Sequence, residues 1–184
     1  MEKYLTLFVL SIFCFMLSCD TPKAGSVSDR FRCVLTNTEV LTNECETDFI
    51  CSYKMKNNSI LKTSEYDGVL NGVEIIRGEN WVFKIEREYD DNPNIADDEF
   101  KETIQFAVPP CDKSFYFEGK DFEKLVAIYG SEAYSRDRGF YSIDQGCVEG
   151  KKQADGKWLV QMQFELKTRT QREVKKSVKV IFDK

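Results

Sequence analysis

No histidine occurs in the 184 residues, and that one absence decides more chemistry than any residue present. Ser-His-Asp and Cys-His catalysis, HExxH metalloprotease centres and histidine-dependent metal sites all need an imidazole as base or ligand. No Walker loop occurs, and no GxGxxG follows a strand pattern. Carboxylate, aromatic and thiol chemistry remain. Two acids at the right spacing suffice for glycoside hydrolysis, but with 31 Asp and Glu the composition singles out no pair.

The densest acidic stretch is Asp90-Asp91-Asn92-Pro93-Asn94-Ile95-Ala96-Asp97-Asp98-Glu99. Asp90, Asn92 and Asn94 are spaced like the first three ligands of a calcium loop, and Asp98 falls at the ninth position. Ile95 stands where that loop needs glycine and Lys101 where it needs glutamate, so an EF-hand is excluded. An irregular calcium site on Asp90, Asn92, Asn94 and Asp98 is the one cofactor to weigh. The competing reading is a solvated loop turned by Asn92-Pro93-Asn94. Phe115, Tyr116 and Phe117 are consecutive, so on a strand they cannot all face one side. At least one would point away from the core, where an aromatic ring could bind a sugar.

The cysteines carry the remaining chemistry. Cys33, Cys45, Cys51, Cys111 and Cys147 include no CxxC, and without histidine a zinc site would need cysteines alone. In an exported chain such residues become disulfides. Cys33, Cys45 and Cys51 cluster, so at least one bridge is expected among them, and Cys111 with Cys147 is the expected longer one.

Export is indicated by the first eighteen residues. Tyr4 to Leu17 is almost unbroken apolar. Fourteen residues make about 21 Å of helix, short of a hydrocarbon core of roughly 30 Å, which suits a signal peptide better than a span. The run ends Phe15-Met16-Leu17-Ser18-Cys19 and looks like a lipobox, with Cys19 to be acylated and cleaved. Met16 stands where leucine is usual, and Lys3 is the only positive charge before the apolar run. The alternative is an ordinary cleaved signal with Cys19 as one more mature cysteine. Residues 1–18 are thus read as the signal, 19–29 as a small, polar, flexible tether, and 30–184 as a single β-rich domain. Two or three acyl chains, at roughly 0.8 kcal/mol per buried methylene, would hold the protein at a membrane.

The elements that must position these groups show mostly a period of two. In 158–166 every even residue is large and apolar, which makes a half-buried strand. Trp81, Phe83 and Ile85 repeat the pattern, as do Ile104, Phe106 and Val108. Val174, Val178, Val180 and Phe182 do so again, broken by Lys176. Asp155-Gly156 marks a hairpin, and the polar stretch Thr168–Glu173 links the last two strands. Weaker strands are expected at 31–36, 47–55, 69–76, 114–118 and 138–143. Phe122, Leu125, Val126 and Tyr129 fall at helical spacing between Asp121 and Gly130, predicting one short helix over 121–129. The sum is an all-β antiparallel β-sandwich of about eight to ten strands, with a β-barrel as the alternative.

The segments Asn92-Pro93-Asn94-Ile95-Ala96-Asp97-Asp98-Glu99-Phe100 with Glu102-Thr103-Ile104-Gln105-Phe106, and Gly146-Cys147-Val148-Glu149-Gly150-Lys151-Lys152 with Gly156-Lys157-Trp158, carry a likeness. Over residues 70–184 the chain resembles uncharacterised envelope lipoproteins of Bacteroidetes-type bacteria. The resemblance implies a β-rich envelope protein displayed at the outer membrane and brings no catalytic residue. Asp20 directly after Cys19 would, in some other bacteria, hold it at the inner membrane. The net charge of −5 comes without a basic stripe, which argues against nucleic acid. The expected function is a lipid-anchored, non-enzymatic binding or accessory domain of the cell envelope, with an envelope protein or glycan as partner. An envelope inhibitor or immunity protein and a carboxylate-based glycan hydrolase are the alternatives.

Overall fold

A computed structural model describes residues 31–36, 40–67, 69–89, 100–133 and 136–183. Each alternating run becomes a strand, because period two is the spacing that puts every apolar side chain on one face of a pleated chain. The described residues form β1 (Val40–Leu41), β2 (Phe49–Tyr66), β3 (Val69–Arg77), β4 (Asn80–Tyr89), β5 (Phe100–Val108), β6 (Ser114–Glu118), β7 (Val126–Ala133), β8 (Gly139–Ser142), β9 (Gln145–Lys152), β10 (Trp158–Lys167) and β11 (Glu173–Phe182). They make two sheets, ordered β1-β11-β10-β9-β6 and β3-β2-β4-β5-β7-β8. Neighbours run antiparallel except β1, which lies parallel to β11. The fold is the expected sandwich.

The core lies between the sheets. Trp158, Val160, Met162 and Phe164 of β10 meet Phe83 and Ile85 of β4 and Ile104, Phe106 and Val108 of β5. Phe83 stacks on Phe106 and stands edge-on to Phe182, both at 5.0 Å. Such pairs add about 0.5–1.5 kcal/mol each beyond the area they bury. Phe115 packs its ring onto the backbone of Gly150, where a Cβ would come within 2.3 Å of the ring. A side chain at 150 would push the β6 edge off the core.

Sheet two curls. At Asn57–Asn58 the register of β2 against β4 shifts, and Asn58 takes φ 50°. Past this bulge β2 pairs with β3, and the hairpin folds over the outer face of its own sheet. Leu61, Leu70, Val73 and Ile75 there cover Val82, Ala107 and Ile128, with Phe140 of β8 closing the cluster. The sheet approaches a barrel without an edge-to-edge ladder between β3 and β8 among the described residues.

Three expectations are corrected. The short helix is present as one 3-10 turn, Phe122–Lys124, but does not run to 129. Val126–Ala133 is strand, because pairing with β5 satisfies its backbone and period two buries Ala127 and Tyr129 on one face and Ile128 on the other. Residues 31–36 are not a strand. They form an irregular strap across the outer face of the first sheet, and the backbone N–H groups of Arg32, Cys33 and Thr36 bond to the side chains of Glu149 and Gln163 instead of a strand edge. Cys147 pairs with Cys33, not with Cys111, since the strap lies directly over β9. Cys45–Cys51 supplies the bridge expected in the early cluster.

Candidate functional site

Lys176 interrupts the apolar run of β11, yet it points inward like Val174 and Val178 beside it. Its partner comes from the facing sheet. Glu102, in phase with Ile104 and Phe106 on β5, is 2 % exposed, and its Oε1 lies 2.9 Å from Lys176 Nζ. The contact is an ion pair rather than a well-directed hydrogen bond. Tyr129, next to β5 on β7, faces the same carboxylate. Burial raises its hydroxyl above the ordinary tyrosine value, the nearby charge of Glu102 raises it further, and Ser131 and Arg172 oppose. Tyr129 is therefore a protonated donor at neutral pH.

These groups form one wall and the floor of a cleft of about 320 Å³ between the sheets. Phe100, Ser131, Thr168 and Arg172 line it as well, Thr168 buried and Arg172 exposed. Two loops hold that end together: Asp137, between β7 and β8, accepts bonds from Thr170 N at 3.1 Å and Thr170 Oγ1 at 2.8 Å, between β10 and β11. The strand alternation that builds the core thus also fixes the site, because Glu102 and Lys176 sit where apolar residues would otherwise continue. The other concentration of charge, Lys84, Glu86, Glu88 and Lys101 on the far face of the second sheet, pairs within itself.

The residues singled out by sequence fall elsewhere. Cys19, and Asp90, Asn92, Asn94 and Asp98, lie outside the described residues. Among the described residues no group of three or more His, Cys, Asp or Glu is placed to hold a metal, and no helix is long and apolar enough to cross a membrane. Phe115, Tyr116 and Phe117 alternate as a strand must. Phe115 is in the core with Phe117 packed against it, and only Tyr116 faces outward. The Arg32 guanidinium covers the Tyr116 ring at 4.0 Å, so the three rings form no common sugar platform. Cys33–Cys147 and Cys45–Cys51 are structural bridges, and Cys111, buried beside the core, is disulfide-bonded as well. Glu102, Tyr129 and Arg172 were not candidates from sequence. The one available signal was Lys176, a cation in an apolar phase, which asks for a buried anion across the sandwich.

Tyr116 gives a direct test of the strap. Burial first, then the hydrogen bond and charge of Glu118, push its hydroxyl up to about 12, while Arg32 pulls the other way and Glu149 adds to the rise. Glu118→Gln is expected to bring that transition down toward the ordinary value of about 10 in an ultraviolet pH titration, with Tyr116→Phe identifying the band. An unchanged transition in Glu118→Gln would place Tyr116 away from Glu118.

Comparison of the chain with protein-family models, with curated proteins and with solved structures finds no match, so the site is read from its own geometry.

Proposed function

We propose that the protein is an exported lipoprotein, anchored through Cys19, whose β-sandwich is a non-enzymatic binding or accessory domain of the cell envelope, and that the cleft at Glu102 and Lys176 is its binding site. The observation that carries this reading is the buried pair itself. Desolvating two charges costs several kcal/mol per ion, and an apolar pair of the same volume would hold the sheets at least as well. A pair kept at the floor of an open cleft is more useful as a polar template than as a fastening. Perturbed and buried titratable groups in a cleft are the usual mark of a binding site. The lipobox, the tether and the likeness to Bacteroidetes-type envelope lipoproteins support the location.

The test is in-cell photocrosslinking of the full lipidated protein, with the probe residue at Ser131 or Thr168 in the cleft or at Glu74 on the exposed hairpin. Adducts to one envelope component from the cleft positions alone are expected. Cys19→Ala is expected to move the protein from the membrane to the soluble fraction and to weaken those adducts. Adducts from Glu74 only would move the site to the hairpin. Turnover of a polysaccharide that Glu102→Gln abolishes would make the protein a hydrolase.

A further inference from the structure

The second sheet buries apolar groups on both faces, and the two sets are far from equal. Its inner face feeds the main core, with Phe83, Ile85, Ile104 and Phe106 buried between the sheets. On the outer face Val82, Ala107 and Ile128 are buried under the hairpin of β2 and β3. Of the hairpin's own apolar residues Leu61 is buried, while Leu70, Val73 and Ile75 are half-buried. Tyr66 at its tip is 77 % exposed.

Ile60–Tyr66 and Val69–Ile76 pair with each other as strands, and Ser64 Oγ bonds to Asn71 Oδ1 at 2.7 Å. Between these residues and the rest of the described chain there is no hydrogen bond, ion pair or disulfide. Apolar contact alone holds the hairpin down, including that from Phe140 of β8. The strap is fastened differently, by a disulfide and by bonds to Glu149 and Gln163.

The root of the hairpin is two crossings at one level. On β2 the register against β4 breaks between Lys56 and Ser59, and Asn58 takes φ 50°, a left-handed backbone that asparagine tolerates better than most residues. On the return, Gly78 N–H donates to Asn58 O at 2.9 Å. A Cβ at 78 would lie 2.3 Å from Ile60 Cγ2, so glycine is what lets the two crossings lie together.

From this we infer that the hairpin is a hinged flap. It swings off Val82, Ala107 and Ile128 about the Asn58–Gly78 crossing while the sandwich stays folded. Hinges are a few residues at element ends that absorb the backbone change. Local openings cost least where little apolar surface is covered and no polar contact breaks. Opening this flap uncovers one small cluster, whereas parting the sheets uncovers the whole core. The cleft at Glu102 lies on the other face of the second sheet and is untouched by the movement.

Ala107 and Ala127 are matched reporters on neighbouring strands, 4 % and 3 % exposed, one facing the flap and the other the main core. Ala107→Cys and Ala127→Cys are each made in the full lipidated protein in lipid nanodiscs and labelled natively with a maleimide. Mass analysis of the peptide carrying the new thiol gives the rate. Labelling at 107 is expected to be roughly a hundredfold faster than at 127, which only opening of the core exposes. Gly78→Ala crowds Ile60 at the hinge and should speed labelling at 107 roughly tenfold further, with 127 unchanged. Phe140→Ala, which removes the contact from β8, should act the same way. Equal rates at 107 and 127 overturn the inference, since the hairpin then leaves only when the domain unfolds. Rates that rise together at both positions in both variants overturn it for the same reason. No response at 107 to either substitution also overturns it, because the opening then has another hinge.

Discussion

Lys176→Met is expected to destabilise the protein by about 3–5 kcal/mol in urea unfolding, the range for a buried ion pair that loses one partner. Glu102 is 2 % exposed and would be left with the Tyr129 hydroxyl and no opposite charge. Glu102→Met alone is expected to cost less. The Lys176 side chain keeps 21 % of its surface in solvent and can turn its ammonium outward along its own aliphatic stem. The double variant Glu102→Met/Lys176→Met should recover most of the loss, because two apolar side chains in that position continue the phases of β5 and β11. A coupling energy of several kcal/mol from this double-mutant cycle would show that the two residues act as one unit. If Lys176→Met costs under about 1 kcal/mol, water reaches Glu102 through the cleft and the pair is not buried in the energetic sense. A double variant that is stable but no longer binds would separate the two roles, leaving the pair to the ligand and the apolar residues to the fold.

How far the sequence reached follows from the same two strands. Alternation in 158–166 and in 174–182 was strong enough to give both strands and the face each one buries, since any slip by one residue would turn that face to water. The strap was not legible. Its residues carry no period, and what holds them is a carboxylate and an amide more than a hundred residues away, Glu149 and Gln163. The short helix was legible only at its start. Phe122, Leu125, Val126 and Tyr129 satisfy helical spacing, but the alternation of Ala127, Ile128 and Tyr129 also satisfies strand spacing. The open edge of β5, whose backbone needs partners, selects the strand. The cleft was invisible because its parts come from β5, β7 and β11, and nothing along the chain brings Glu102 next to Lys176 except the packing of one sheet on the other.

Replacing Cys33 and Cys147 together with serine is expected to lower stability by roughly 2–5 kcal/mol, against about 2 kcal/mol for the Cys45 and Cys51 pair, since loop closure constrains the unfolded chain more the longer the loop. The separations are 114 residues and six. The larger loss should also have a place. The strap would be left with the bonds from its backbone to Glu149 and Gln163, and residues 31–36 should become accessible to a protease while the sandwich persists. If the proposed anchor at Cys19 holds, the Cys33–Cys147 bridge, which fastens the strap to β9, is the first link between the described N-terminal residues and the sandwich. Unpinning it would expose the outer face of the first sheet, where Glu149 is 4 % and Ser177 0 % exposed. Limited proteolysis with and without reductant, followed by mass analysis of the first cut, reads this directly. Cleavage within 31–36 before any loss of the core is the expected order. Simultaneous loss of strap and core would mean instead that the bridge holds the whole sandwich, with the strap as part of its core and not a fastening laid over it.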